Sequence, residues 1–317
     1  MSDPLPINEI ITKLQEAISV ENRALIVAPP GAGKTTIIPL KLLDNRNIAG
    51  QIIVLEPRRL AARAAASQMA ALLNEPVGET VGFQIKGLNK VSKQTRIVVI
   101  TEGILIRMIQ SDPSLSKVGC IIFDEFHERS INADLGLALS LQLAEVLRND
   151  LKIIVMSATL DVGPVSDLLD TKAPIISEGR AYHVECVYLS RPESKNEDLW
   201  GNFSELVSNA FEMTDGGILA FLPGEAEIKT TAKLLKEKLP KTAIIMPLYG
   251  SLPFDQQFKI LKPLENKNLR KVVLSTSIAE TSLTISDIKI VVDSGYTRRS
   301  LYDPGSGMSR LITQKIS

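Results

Sequence analysis

Apolar residues Ile7, Ile10, Ile11, Leu14 and Ile18 recur three or four positions apart and predict an amphipathic helix opening the chain. Beyond it, short runs of isoleucine, valine and leucine alternate with helical patterns. Strands are predicted at Ala24–Ala28, Ile52–Glu56, Ile97–Ile100, Val118–Phe123 and Ile153–Ser157, with helices such as Arg59–Leu73 and Ala133–Leu147 between them. These runs are nearly continuous rather than alternating, as strands covered on both faces require. The predicted class is α/β, with open, mainly parallel sheets. The rhythm pauses near Ile176–His183 and then resumes. Val184–Leu189 reads as a strand, the charged stretch Arg191–Asp198 as a surface loop, and Glu225–Leu239 as a helix. Further strands are predicted at Gly217–Leu222, Thr242–Met246, Lys271–Ser275 and Lys289–Asp293. Two tandem domains follow, residues 1–178 and 179–317. Within the second, Val291–Ile312 reads as two β runs around Asp303-Pro304-Gly305-Ser306-Gly307, a hairpin by its Pro-Gly turn chemistry.

A length of 317 residues suits two domains. Lysine plus arginine number 36 and aspartate plus glutamate also 36, which excludes a protein held on duplex nucleic acid by a broad basic face. A narrow local groove stays open. The two cysteines, Cys120 and Cys186, lack metal-ligand spacing, and Cys120 reads as a small buried hydrophobe in an apolar run. Met1-Ser2-Asp3-Pro4 opens no signal-peptide pattern, and no apolar run approaches the roughly 20 residues that span a bilayer. The expectation is a cytoplasmic, reduced protein with no membrane attachment.

Chemistry concentrates at two strand ends. Ala28-Pro29-Pro30-Gly31-Ala32-Gly33-Lys34-Thr35-Thr36 follows a predicted strand and opens a helix, the context of a phosphate loop. Gly31 and Gly33 let the loop that includes Pro30 and Ala32 curl so that its backbone N–H groups point toward phosphate oxygens, and the helix start near Lys34 to Thr36 adds its positive dipole end. Lys34 is expected to reach the β- and γ-phosphates of ATP, and the Thr35 hydroxyl to ligate Mg²⁺. Ala28 stands where the common form of the loop has its first glycine. The apolar run Val118–Phe123 leads directly into Asp124-Glu125-Phe126-His127, placing two carboxylates at the sheet's C-terminal edge. Asp124 is expected to hold Mg²⁺, and Glu125 to orient and deprotonate the attacking water. Either segment alone has a bland reading, a glycine turn or a pair of surface acids.

At these residues the chain resembles the superfamily 2 helicases of the DEAH-box class, and Asp-Glu-Phe-His is the form of the box associated with the bacterial HrpB group. Further blocks resemble the family's in order: Glu56-Pro57-Arg58-Arg59-Leu60-Ala61-Ala62, Thr101-Glu102-Gly103-Ile104-Leu105, Ser157-Ala158-Thr159, Leu219–Glu227, Leu248-Tyr249-Gly250-Ser251-Leu252 and Thr276–Ile285. The resemblance implies two RecA-like domains and movement along single-stranded nucleic acid driven by ATP, with RNA as the expected strand. It implies strand contacts at Arg58, Arg59, Thr101, Gly224 and Thr276, and coupling through His127, Ser157 and Thr159. Each has a plain alternative: a solvated helix start for the arginines, a helix cap for Thr101, loop bonding for Ser157 and Thr159, a core histidine for His127. The family sandwiches adenine between an arginine and an aromatic. Here Gln68 stands at the arginine's position and Tyr296 near the aromatic's, so weak discrimination among nucleoside triphosphates is expected. Arg298, Arg299 and Arg310 of the hairpin are candidates for phosphate contacts.

The family's Gln-Arg-x-Gly-Arg-x-Gly-Arg motif is not supplied by Gln314-Lys315-Ile316-Ser317 or any other segment. The expectation is therefore a helicase core with an incomplete second domain, binding ATP and Mg²⁺ but turning ATP over more slowly than a complete relative, since an arginine finger contributes about 10³–10⁵ in rate. A hydrolysis-impaired, nucleotide-switched RNA-binding module is the competing expectation. A kinase or transport ATPase shares the phosphate loop but leaves Ser157-Ala158-Thr159 and the block from Thr276 without a role. Protein partners are not legible.

Overall fold

The computed structural model describes residues 6–159, 163–171, 173–179, 183–188, 198–280 and 283–316. The chain divides into two compact units, Met1–Val184 and Glu185–Ser317.

In the first unit a 3-10 turn, Pro6–Ile10, leads into helix α1 (Ile11–Val20), and Ile7, Ile10, Leu14 and Ile18 of the opening pattern are buried. Then follow β1 (Arg23–Val27), α2 (Lys34–Leu42), β2 (Gln51–Glu56), α3 (Arg59–Leu72), β3 (Val81–Ile85), β4 (Leu88–Lys90) and β5 (Ile97–Thr101). The unit continues with α4 (Glu102–Ser111), β6 (Val118–Phe123), α5 (Ile131–Val146), β7 (Lys152–Ser157), α6 (Gly163–Leu169) and β8 (Ile175–Ile176). The sheet order is β4-β3-β5-β2-β6-β7-β1-β8, parallel throughout except for the antiparallel edge pair β3–β4. Strands β5, β2, β6, β7 and β1, in the interior of the sheet, are buried along nearly their whole lengths, which is why their sequences run apolar without alternation. Helix α5 starts where the Ser130 hydroxyl accepts from the Ala133 N–H, a cap that satisfies one of the free donors of the first turn.

The second unit holds α7 (Leu199–Met213), β9 (Gly217–Phe221), α8 (Glu225–Lys238), β10 (Ala243–Leu248), α9 (Phe254–Leu261), β11 (Arg270–Ser275) and β12 (Ile288–Asp293). Its parallel sheet runs β10-β11-β9-β12 around a core of its own, including Val207, Ile218, Leu235 and Val272. The predicted hairpin is β13 (Tyr296–Asp303) with β14 (Met308–Lys315), a separate antiparallel pair. Val291 belongs to β12 rather than to the hairpin.

One expected strand is absent. Residues 183–188 form no strand, and Val184, Val187 and Tyr188 are 77, 85 and 87% exposed. A β-prone sequence forms a strand only where a ladder partner and an apolar face meet it, and among the described residues none does so here. Leu189 and the loop at 191–197 lie outside the described residues, while Asp198 caps α7 by accepting from the Gly201 N–H. The sequence pattern does not predict the short strands β3, β4 and β8 or the helices α6, α7 and α9. Both cysteines are free thiols, Cys120 buried in β6 and Cys186 exposed. Among the described residues no helix is long and apolar enough to cross a membrane.

Candidate nucleotide site and strand-side motifs

The loop after β1 leaves the C-terminal edge of the sheet beside β7, where the Ala28 N–H donates to the Ser157 carbonyl at 3.0 Å. Gly31 (φ 80°) and Gly33 (φ 93°) take left-handed conformations that other residues adopt only at a cost, and Gly33 stands at the N-cap of α2. Ala28 is fully buried and has no positive φ, so the missing first glycine does not disturb the turn. Pro30 and Gly31 are exposed at the loop's tip, and Ala32 is buried beneath it.

From this frame Lys34 and Thr35 meet the acids that end β6. Lys34 is 3% exposed, and its Nζ lies 2.9 Å from Glu125 Oε1. Among the described residues that ammonium nevertheless has no well-aligned hydrogen-bond acceptor. The Thr35 hydroxyl donates to Asp124 Oδ2, and the Glu125 N–H donates to Asp124 Oδ1 at 2.8 Å. Thr36 is buried and turns its hydroxyl back toward the Gly33 carbonyl. A hydroxyl and a carboxylate in direct contact form a hard oxygen donor set of the kind Mg²⁺ takes. A buried ammonium with unsatisfied protons beside them suits phosphate oxygens. The residues fit ATP with Mg²⁺.

A third acid completes this cluster. Glu56, the last residue of β2, is 2% exposed and hydrogen-bonded to Asp124. Burial, reinforced by the charges of Asp124 and Glu125, holds its pKa well above the ordinary carboxylate range. Its Oε2 has no partner among the described residues. Burial also raises Asp124, to about 6, with the Glu125 charge adding to the effect and Lys34 opposing it. The sequence offers Glu56 only as the end of a strand and the first residue of a strand-contacting block. Its position beside Pro57, at the edge where β2 runs next to β6, was the available signal.

His127 lies in the 3-10 turn Phe126–Glu128, immediately after the box. Its Nδ1 accepts from the Ala158 N–H at 3.3 Å and stands 3.4 Å from Glu125 Oε2. This brings together the box and Ser157-Ala158-Thr159 at the end of β7. Ser157 is buried and its hydroxyl donates to the Thr159 carbonyl at 3.1 Å while accepting from the Thr159 N–H at 3.2 Å. The plain reading of these two hydroxyls as loop-bonding groups describes their contacts. Arg58 is the N-cap of α3 and reaches Glu128 at 3.5 Å, whereas Arg59 is exposed. Thr101 is the N-cap of α4, but its side chain makes no capping hydrogen bond, contrary to expectation. Its extended backbone starts the helix without the hydroxyl's help.

In the second unit Gly224 is the N-cap of α8, and a Cβ there would lie 2.5 Å from Arg298 Nη1 and 2.7 Å from Glu227 Oε2. Arg298 itself donates to Glu227 Oε1 at 3.0 Å. Arg298 is therefore already paired, and a phosphate contact there would have to displace a carboxylate. Arg299 and Arg310 are exposed, and the register Arg299↔Ile312 and Leu301↔Arg310 puts both on the other face of the hairpin. Thr276 follows β11 with its N–H on the Leu248 carbonyl at 3.2 Å, which joins its block to the one at 248–252. Thr281 and Ser282 of that block lie outside the described residues. Tyr296 begins β13 half-buried, with its ring edge-on to Trp200 at 6.5 Å.

Two family models match this chain: the DEAD/DEAH box helicase model over residues 8–168, and the helicase conserved C-terminal domain over residues 201–312. The chain belongs to the DEAD/DEAH box helicase family. The ATP-dependent RNA helicase HrpB of Escherichia coli is 45% identical over 99% of this chain, which covers 38% of that relative. The human ATP-dependent RNA helicase DHX33 is 34% identical, again over 99% of this chain and 46% of the relative. A crystal structure of the E. coli DEAH/RHA helicase HrpB superposes with a TM-score of 0.89 at 45% identity, covering 99% of this chain and 40% of that one. The chain thus spans less than half the length of these DEAD/DEAH box relatives. The likeness to them runs through both units of this chain.

Proposed function

We propose that this chain is the ATP-hydrolysing core of an RNA helicase, coupling turnover at the Lys34 site to movement on a single strand. The observation that carries the reading is the meeting of Lys34, Thr35, Asp124 and Glu125 at one sheet edge. Thr35 and Asp124 would hold Mg²⁺, which when bound supplies neutralising charge for the β- and γ-phosphate oxygens. Lys34 binds the same phosphates. Lys34 is paired with Glu125, so the ammonium and the carboxylate stand together at the site. Glu125 then orients the attacking water and takes its proton. Tyr296 stacks on the base, and without an arginine at Gln68 the grip on adenine is loose. His127, Ser157 and Thr159 relay the state of the γ-phosphate side, while Arg58, Arg59, Thr101, Gly224 and Thr276 contact the strand. RNA is favoured because the relatives' names specify it, and the cytoplasm is the compartment this reading implies.

The test is phosphate release from Mg²⁺-ATP with and without single-stranded RNA or DNA. Stimulation by RNA beyond that by DNA is expected. Turnover that no strand changes, in a chain that binds ATP, would overturn the reading.

A further inference from the structure

The turn that follows the Asp-Glu box is held in an unusual shape. Glu125 (φ 49°, ψ 36°) and Arg129 (φ 45°, ψ 118°) bracket Phe126–Glu128, and both are left-handed residues other than glycine. Such conformations persist only where surrounding contacts enforce them. The downstream end is fixed to α5: Arg129 donates to both carboxylate oxygens of Asp134 at 2.9 Å, and Ser130 caps the helix and donates to Glu102. From the other side, Glu128 is drawn to Arg58 at 3.5 Å, with the two side chains only 18 and 28% exposed. Arg58 stands at the β2–α3 corner, next to exposed Arg59. Glu125, three residues before Glu128, is meanwhile paired with Lys34 rather than free to meet a water.

We propose that the Arg58–Glu128 ion pair is a latch that restrains Glu125 until a single strand arrives. The proposal rests on the strand-coupled reading above and adds Glu128 as a positioning residue. A strand phosphate offers Arg58 a competing anion, and guanidinium groups pair with phosphate at least as well as with carboxylate. Exchange of Glu128 for phosphate removes one of the contacts that enforce the turn. Glu125, carried by that turn, is then able to leave Lys34 for the attacking water. The chemistry at Asp124 and Glu125 is thereby linked to strand occupancy through one side chain that touches neither ATP nor strand.

The decisive variants are Glu128→Gln, which removes the charge, and Glu128→Asp, which keeps the charge but shortens its reach. Strand binding is read from the anisotropy of a fluorescein-labelled single-stranded RNA, and strand-free turnover from phosphate release. Both variants are expected to bind the RNA several-fold tighter and to hydrolyse ATP several-fold faster without it. The KM for ATP should be unchanged, and stimulation by RNA should shrink correspondingly. Unchanged or weaker RNA binding together with an unchanged or slower strand-free rate in either folded variant overturns the latch. A wild-type chain that hydrolyses ATP yet binds no strand overturns the strand-coupled reading instead. In that case a strand-free rate that the variants leave unaltered also overturns the restraint of Glu125.

Discussion

At the scale of single residues, Lys34 and Glu125 separate binding from chemistry. Lys34→Ala removes the buried ammonium that the phosphates require, and should weaken ATP binding by at least an order of magnitude in a fluorescent-nucleotide titration. Glu125→Gln keeps the shape of the side chain but cannot take a proton. It should bind ATP at near wild-type affinity while losing roughly 10²–10⁴-fold in turnover. Asp124 makes a prediction of opposite sign for stability. Its pKa is raised from 3.8 to about 6, so between those values the folded chain binds more protons than the unfolded one. Stability of the nucleotide-free chain therefore falls as pH rises through that window, and the full penalty persists above it. Asp124→Asn removes the charged form. It should raise the melting temperature at pH 7.5, by at most about 3 kcal/mol of stability, and flatten the loss between pH 4 and about 6. Melting curves across pH check both, and a destabilised Asp124→Asn at pH 7.5 would contradict the assignment.

At the scale of elements, the buried strands were legible because burial on both faces leaves a continuous apolar run. Val118–Phe123 was read to the residue, and β1, β2, β5 and β7 to within one residue at either end. What the pattern did not carry was close contact between backbones. Gly119 interrupts the apolar run of β6 without any turn, and its reason is visible only in three dimensions. A Cβ there would stand 2.0 Å from the Ala49 carbonyl oxygen. That oxygen belongs to backbone and cannot swing aside. Gly119→Ala should therefore destabilise the chain by about 1–3 kcal/mol, the usual cost of overpacking, in a denaturant titration. Because β6 carries Asp124 and Glu125 at its end, nucleotide affinity should fall too. The strand expected at 184–188 failed for the converse reason: apolar residues name a preference, but a ladder partner decides. Glu56 was missed on the same ground, since its meaning comes from β6 running beside β2 rather than from its neighbours in sequence.

At the scale of the whole molecule, charge balance limits how the strand can be held. The chain carries 36 cationic and 36 anionic side chains, and two of the arginines that are candidates for strand contacts are already paired, Arg58 with Glu128 and Arg298 with Glu227. Arg59, Arg299 and Arg310 are exposed. If Arg58 exchanges its partner for phosphate and Arg59, Arg299 and Arg310 turn to phosphate as well, about four cations meet the strand, and each phosphate neutralised on a single strand contributes about −0.7 to the slope of log K against log salt. The strand affinity should therefore show a slope near −3, shallow beside that of proteins held by broad basic faces. Backbone N–H groups and hydroxyls such as Thr101 and Thr276 must supply the rest of the grip, and such neutral contacts release no counterions. Arg59→Ala should make the slope less steep by about 0.7 while weakening all sequences alike. A measured slope steeper than about −5 would mean that cations outside this set hold the strand, and the placement of the strand along these motifs would have to be abandoned.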